Sequence, residues 1–156
     1  MADFPAEGAQ APDFSLPRDG GGTVSLKDFA GRKLVLYFYP KADTPGCTKE
    51  AMAFNALRAE FEAANTAILG VSADPVRAQD KFKAKYDLAF PLASDETKAM
   101  LDAYGVWGEK SMYGRKYMGI ERATLLIDAT GTVARTWPKV KVTGHAEEVL
   151  AAAQAL

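Results

Sequence analysis

The chain has 156 residues, of which 48% are hydrophobic and 25% charged, and this composition predicts one ordinary globular domain over residues 1–156. Its net charge of −1, from 19 basic and 20 acidic residues, argues against nucleic acid or an anionic membrane as a partner. No apolar run is long enough for a membrane span, and the first residues lack the basic and apolar regions of a secretion signal.

The first part of the chain alternates short apolar runs with a helical pattern. Residues 14–17 and 23–26 flank the turn sequence RDGGG, which predicts a β-hairpin. LVLYFY, at 34–39, is typical of a strand buried on both faces, and Pro40 ends it. Residues 47–63 carry apolar side chains at helical spacing and predict one helix.

The second part begins with another buried strand, AILGVSA at 67–73. Asp74 and Pro75 are interpreted as the N-cap and first residue of the helix that follows. The remaining predicted elements are a short strand at 90–94, a helix from Ser94 or Asp95 to Tyr104, a hairpin of strands 122–128 and 132–137, and a final helix from about His145. Strands that alternate with helices indicate an α/β fold with a mixed central β-sheet flanked by helices and an N-terminal β-hairpin. The thioredoxin-like fold matches this order best.

Cys47 is the only cysteine and His145 the only histidine of the chain. One cysteine cannot form an internal disulfide, and these two residues cannot supply the four ligands of a zinc site. We expect no metal and no cofactor, and a cytoplasmic protein, because a chain without disulfides fits a reducing compartment. A lone thiol is either a small buried hydrophobic group or a reactive one, so its local context must decide.

Cys47 lies within YPKADTPGCTKEAM (39–52), after a predicted strand and in the first turn of a predicted helix. The first backbone N–H groups of a helix have no partner inside it, and the helix dipole adds partial positive charge there. A thiolate is stabilised at such a position, and the thiolate is the nucleophilic form of cysteine. Thr44 could cap the helix or hydrogen-bond a bound substrate, and the two roles are compatible.

The spacing of Pro40, Thr44 and Cys47 resembles the active-site motif of the peroxiredoxins. The longer strings DTPGCTKEA, YGVWGEKSMYGRKYMGIERATLLID and VKVTGHAEEVL resemble the peroxiredoxin Q branch, also called bacterioferritin comigratory protein. The likeness spans nearly the whole chain. It implies a thioredoxin-like fold and a thiol-dependent peroxidase that reduces hydrogen peroxide and organic hydroperoxides.

By this resemblance Cys47 is the peroxidatic cysteine, whose thiolate attacks a peroxide oxygen and becomes a sulfenic acid. Arg122 would keep Cys47 ionised and hydrogen-bond the peroxide, together with Thr44 and the backbone N–H of Cys47. Pro40 would shield the thiolate from water, and Glu50 would orient Arg122. Without the resemblance, Arg122 would be interpreted as a surface residue of a strand, and Glu50 as a carboxylate favoured by the helix dipole.

The sequence departs from the branch at its second cysteine. Many members carry a resolving cysteine five residues after the first, where this chain has Met52, or in the next helix, where DKFKAKY (80–86) has none. Five residues rotate a helix by about 140°, so residue 52 should face away from Cys47. We therefore expect a one-cysteine cycle, in which thioredoxin, glutathione with glutaredoxin, or another small thiol reduces Cys47 through a mixed disulfide.

Two functions other than a peroxidase also involve a reactive cysteine. A redox-sensing or chaperone-like binding protein would use oxidised Cys47 as a signal to a partner. A thioredoxin-type disulfide exchanger is disfavoured, because it needs a cysteine where this chain has Glu50. We expect a monomer or a weak homodimer.

The remaining candidates carry weaker signals. His145 is interpreted as a helix-start residue rather than a general base. The segment EKSMYGRKYMG (109–119) is interpreted as a solvated loop. Trp107, Tyr113 and Tyr117 either line the mouth of a pocket or take part in ordinary packing.

Overall fold

The computed structural model describes residues 2–156. Its strands are β1 Ser15–Pro17, β2 Thr23–Ser25, β3 Lys33–Phe38, β4 Thr66–Ser72, β5 Leu92–Ser94, β6 Trp107–Met112, β7 Arg115–Ile120, β8 Ala123–Ile127 and β9 Val133–Trp137. Its α-helices are α1 Pro45–Ala56, α2 Arg58–Ala63, α3 Val76–Tyr86, α4 Ala99–Ala103 and α5 His145–Ala155. No helix among these residues is long and apolar enough to cross a bilayer.

The central sheet has five strands in the order β5–β4–β3–β8–β9. β3, β4 and β5 are parallel, whereas β8 runs antiparallel to β3 and β9 antiparallel to β8. The strands β1 and β2 form a separate N-terminal hairpin. The predicted thioredoxin-like α/β fold, with a mixed sheet, flanking helices and an N-terminal hairpin, is confirmed.

Strand β3 is buried because helices and loops cover both faces of the sheet. Leu34, Leu36 and Phe38 pack into a core that includes the N-terminal hairpin and α4. Val35 and Tyr37, which point the other way, pack into a second core with α1, α3 and α5. This explains why the sequence of β3 is continuously apolar rather than alternating.

The register between β3 and β8 pairs Phe38 with Ala123. Arg122 therefore stands directly before β8, at the edge of the sheet where β3 ends and the chain turns into α1. Thr124, two residues further on, shares a face with Arg122 and contacts His145 of α5. The register thus places Arg122 on the side of the sheet that α1 and α5 cover.

The single helix predicted for 47–63 is wrong in its bounds. Helix α1 begins at Pro45, because Thr44 is still extended (φ −99°, ψ 157°) and proline suits the first helical position. The helix is interrupted at Leu57, whose amide donates to the Phe54 carbonyl at 3.1 Å, and the chain resumes as α2. The apolar spacing continues across this interruption, so the sequence pattern does not reveal it.

The predicted N-cap Asp74 is wrong by one residue. Pro75 is the N-cap of α3, and Val76 is its first helical residue. The Asp74 carboxylate instead accepts hydrogen bonds from the Ser72 hydroxyl at 2.7 Å and from the Ala42 amide at 2.8 Å. Asp74 therefore links the end of β4 to the segment that precedes α1.

The short helix predicted from Ser94 or Asp95 begins later, at Ala99. Ser94 belongs to β5, and Lys98 has a left-handed backbone (φ 65°) that an α-helix cannot include. The Asp95 carboxylate accepts the Leu101 amide at 2.8 Å. It thereby satisfies one of the amides that the first turn of α4 leaves without a helical partner.

The interpretation of residues 109–119 as a solvated loop is also wrong. These residues form most of the antiparallel hairpin β6–β7. Tyr113 and Gly114 make its turn with φ of 53° and 77°, the left-handed pair of a tight two-residue hairpin turn. Most of its side chains are exposed, so no apolar alternation marks the strands in the sequence.

We expect Gly70→Ala to destabilise the fold. A β-carbon at position 70 would lie 2.9 Å from Cζ of Tyr37 and 3.1 Å from Cδ2 of Leu92, and both residues are fully buried. Overpacking of this kind should lower the free energy of unfolding by about 1–3 kcal/mol. Urea unfolding of the variant and the parent protein measures the difference. A loss no larger than the roughly 0.5 kcal/mol of an exposed substitution would contradict the expectation.

Candidate active site

Cys47 lies in the first turn of α1 with only 1% of its surface exposed. The first backbone bond of the helix runs from the Thr48 amide to the Thr44 carbonyl at 2.8 Å. The preceding amides of Gly46 and Cys47 therefore have no partner in the helical ladder. These free N–H groups and the helix dipole create a positive potential around the sulfur.

The guanidinium of Arg122 joins Cys47 to Glu50. Nη2 of Arg122 donates to Sγ of Cys47 at 3.5 Å, and Nη1 donates to Oε1 of Glu50 at 2.8 Å. Arg122 is 75 positions from Cys47 in the sequence. Its side chain is 18% exposed and that of Glu50 is 1% exposed, so the ion pair is largely removed from solvent. Charge-assisted hydrogen bonds are strong in such surroundings.

Helix α1 brings Cys47 and Glu50 onto one face. They are three residues apart, a spacing that makes side chains neighbours on a helix, and both are buried with Ala51 on the face that meets the sheet. A β-carbon at Gly46 would lie 3.0 Å from Nη2 of Arg122. The guanidinium therefore rests directly on the backbone of the first helical turn.

Glu50 is an unusual carboxyl group because most of its surface is buried. Burial raises the pKa of Glu50 to about 7, although the charge and hydrogen bond of Arg122 act in the opposite direction. Its second oxygen, Oε2, has no hydrogen-bond partner among residues 2–156. For Arg122, burial opposes the charged form, but Glu50 and Cys47 together raise its pKa, so the guanidinium remains charged.

Thr44 and Pro40 stand near the helix start, and their predicted roles stay predictions. Thr44 is the N-cap residue of α1, but its side chain makes no capping bond, and its hydroxyl donates to the Lys41 carbonyl at 2.7 Å. Pro40 is half-buried and lines a groove of about 430 Å³ together with Trp107 and Tyr117. Arg122 thus contacts both Cys47 and Glu50, whereas neither Thr44 nor Pro40 hydrogen-bonds any of these three side chains in the part of the chain that the structure describes.

Among residues 2–156, neither His145 nor Tyr113 hydrogen-bonds Cys47, Glu50 or Arg122 through its side chain. His145 begins α5, as the sequence indicated, and its Nε2 lies 2.8 Å from the hydroxyl of buried Thr124. Burial lowers the pKa of His145, and its ring packs edge-on against Phe54 and Trp137. Tyr113 is 98% exposed at the tip of the β6–β7 hairpin.

Sequence reasoning missed a buried polar network beside the site. The Tyr39 hydroxyl donates to Oε1 of Gln79 at 2.5 Å, and Nε2 of Gln79 donates to the Ser72 hydroxyl at 2.9 Å. Ser72 in turn donates to Asp74, which holds the Ala42 amide. The only sign of this network in the sequence was a pair of polar residues, Ser72 and Asp74, at the end of the buried strand β4. No group of three or more His, Cys, Asp or Glu side chains suited to a metal occurs within residues 2–156.

Comparison with known proteins agrees with this geometry. The AhpC/TSA family matches residues 8–136. Peroxiredoxin Bcp of Xanthomonas campestris is 51% identical over 143 residues, which cover 92% of this chain and 89% of that protein. Peroxiredoxin Bcp of Bacillus subtilis is 46% identical, with 92% and 91% covered.

Solved structures show the same relationship. Peroxiredoxin Q of Xanthomonas campestris superposes with a TM-score of 0.86 at 51% identity, covering 91% of this chain and 90% of that one. A peroxiredoxin Q mutant of Xylella fastidiosa superposes with a TM-score of 0.91 at 42% identity, covering 96% of each chain. The chain belongs to the AhpC/TSA family. Within that family it is a peroxiredoxin of the Bcp, or Q, branch, and so a thiol-dependent peroxidase.

The raised pKa of Glu50 predicts a dependence of stability on pH. Between its usual pKa of 4.5 and about 7, the folded protein holds a proton that the unfolded chain has released. This contribution to stability is therefore complete below pH 4.5 and is lost as the pH rises through about 7. We expect Glu50→Gln to remove this part of the slope, which is at most about 1.4 kcal/mol per pH unit.

Urea unfolding at a series of pH values between 4.5 and 7.5 measures this slope. The matched control is Glu60→Gln, on the exposed surface of α2, which should keep the slope of the parent protein. Parallel curves for Glu50→Gln and the parent would show that Glu50 ionises at its ordinary pH in the folded state.

Proposed function

We propose that Cys47 is the peroxidatic cysteine of this thiol-dependent peroxidase, with Arg122, Glu50, Thr44 and Pro40 as the other site residues. The observation that carries the proposal is the shared guanidinium, 3.5 Å from the Cys47 sulfur and 2.8 Å from Glu50. A fixed positive charge beside a helix N-terminus favours the thiolate. The same charge and the free amides can also stabilise the oxygen anion that leaves the peroxide.

The proposed first half-reaction is a two-electron oxidation of sulfur. The Cys47 thiolate attacks one oxygen of the peroxide, a sulfur–oxygen bond forms, and the oxygen–oxygen bond breaks. The electron pair of that bond leaves with the second oxygen, which takes up a proton and departs as water or an alcohol. Cys47 remains as a sulfenic acid. Arg122 would hold both the sulfur and the peroxide, and Glu50 would fix the orientation of Arg122.

The proposed substrates are hydrogen peroxide and organic hydroperoxides. The groove beside Pro40 is lined by apolar as well as polar side chains, among them Trp107, Tyr117 and Met118. An organic hydroperoxide has an apolar portion that such a surface can accommodate. Hydrogen peroxide needs only the polar donors around Cys47.

The second half-reaction would need an external thiol. Met52 is 50% exposed while Cys47 is 1% exposed, so these residues lie on different faces of α1. The chain contains no other cysteine. The proposed reductant is thioredoxin, glutathione with glutaredoxin, or another small thiol. Its sulfur displaces water from the sulfenic acid to form a mixed disulfide, and a second thiol then releases Cys47.

The cellular setting belongs to the same proposal. A cycle that consumes an external thiol requires a compartment that supplies reduced thiols, as the cytoplasm does. We further propose that residues 1–156 form one domain, because the helices on both faces share a single five-stranded sheet. A monomer or weak homodimer agrees with a site whose contacting residues, Cys47, Glu50 and Arg122, all come from one chain.

We expect Cys47→Ser to abolish peroxide consumption and Arg122→Ala to slow it by about two orders of magnitude or more, the usual effect of removing one donor to a developing anion. Stopped-flow peroxide consumption measures both variants. Mass spectrometry after one equivalent of peroxide should show one added oxygen atom on Cys47. Met52→Ser is the matched control on the exposed face of α1 and should react like the parent protein.

Unchanged turnover by Cys47→Ser would contradict the proposed function. A rapid single oxidation that none of the proposed thiols reverses would favour the redox-sensing alternative over the one-cysteine peroxidase cycle.

A further inference from the structure

The segment between β3 and α1 contains a residue with a left-handed backbone conformation. Asp43 has φ of +59°, in a region that aspartate enters more readily than most residues with a β-carbon because its side chain can hydrogen-bond locally. It directly precedes Thr44, the N-cap of the helix that carries Cys47. Such a conformation persists when surrounding contacts hold it. The direction in which α1 begins therefore depends on what holds Asp43.

The last turn of α3 provides these contacts. The Tyr86 hydroxyl donates to Oδ1 of Asp43 at 2.7 Å, and Nζ of Lys85 donates to Oδ2 at 2.9 Å. These two hydrogen bonds hold the pKa of Asp43 below its usual value, so the carboxylate remains an acceptor. The Lys85 side chain is 58% exposed and that of Asp43 is 42% exposed, and exposed ion pairs contribute little by themselves. The Tyr86 hydroxyl has the better-fixed position of the two donors, because the tyrosine ring packs against the core.

Tyr86 can hold Asp43 because its partly buried ring packs against the core. The ring packs edge-on against Phe82 at 5.6 Å, and Phe82 packs against Tyr39 at 6.0 Å. The hydroxyl is thus presented from a rigid base toward the turn. The adjacent residue Ala42 is held from the other side by Asp74 at the end of β4. The turn before α1 is fastened to two separate elements of the fold.

We propose that Asp43 and Tyr86 form a clamp that positions the first turn of α1, and with it Cys47, for reaction with peroxide. This inference rests on the proposed role of Cys47 as the peroxidatic residue. Neither clamp residue hydrogen-bonds the sulfur, so both are positioning residues. Because Cys47 is 1% exposed, an external thiol reaches its sulfur only when this turn opens. The clamp therefore favours oxidation by a small peroxide and slows reduction by a larger thiol.

The test is Tyr86→Phe, which keeps the ring on Phe82 and removes only the hydroxyl donor. We expect the rate constant for oxidation of Cys47 by hydrogen peroxide to fall about threefold to tenfold, as for loss of one hydrogen bond. The rate constant for reduction of the sulfenic acid by glutathione should rise over the same range. Tyr113→Phe, which removes an exposed hydroxyl at the hairpin tip, is the matched control and should change neither.

A second variant separates the hydrogen bond from the ion pair. Asp43→Asn retains an oxygen that can accept from Tyr86 but loses the charge that attracts Lys85. If the hydroxyl is the important partner, this variant should affect both rates less than Tyr86→Phe. An equal or larger effect would assign the positioning to the ion pair and overturn the role given to Tyr86.

Amide hydrogen exchange tests the clamp without any peroxide chemistry. The hydrogen-bonded amides of Ala42 and Thr48, on either side of this turn, should exchange faster in Tyr86→Phe than in the parent protein or in Tyr113→Phe. Unchanged exchange would overturn the clamp, and faster exchange with unchanged peroxide kinetics would overturn its positioning role. A parent protein that does not react with peroxide would instead contradict the proposed function, while the exchange result still decides whether the clamp exists.

Discussion

One largely buried guanidinium, that of Arg122, holds the site together. Arg122 donates to the sulfur of Cys47 and to the carboxylate of Glu50, and both acceptors are almost closed to solvent. A buried carboxylate without a charged partner would be unfavourable, and Arg122 supplies that partner to Glu50. The Glu50 carboxylate has no other hydrogen-bond partner among residues 2–156, so the orientation of its side chain depends on Arg122. The electrostatics of the sulfur therefore depend on Arg122 as well as on the start of α1.

A sheet that is covered on both faces places Arg122 beside Cys47 and Glu50. The chain leaves the carboxyl end of β3 and then forms α1. Arg122 lies beside that end because β8, which follows it, pairs with β3. The apolar face of α1, which includes Ala51 and Phe54, fixes the rotation of the helix against the sheet. That rotation points Cys47 and Glu50 inward and leaves Met52 outside. The side chains that pack α1 against the sheet therefore also determine where its two site residues point.

The sequence alone predicts the elements whose burial produces an apolar pattern. It does not predict features that depend on contacts between residues distant in the chain. The apolar runs of β3, β4 and β8 and the place of Cys47 in the first turn of a helix could be predicted, although not the residue at which that helix begins, because burial on two faces and helix starts select particular residue types. The β6–β7 hairpin could not, since its exposed strands have no apolar face. The contact of Arg122 with Cys47 depends on strand register, which no local pattern specifies. The family resemblance supplied that pairing instead.

The pairing of Phe38 with Ala123 has a further consequence for how the protein acquires activity. A slip of one residue between β3 and β8 would turn the side chain of Arg122 to the opposite face of the sheet. The resulting molecule could retain its strands and most of its helices, yet its cysteine would lack the cation. The onset of peroxide reactivity during refolding would therefore require the correct alignment of these two strands, and compaction of the chain alone would not produce it.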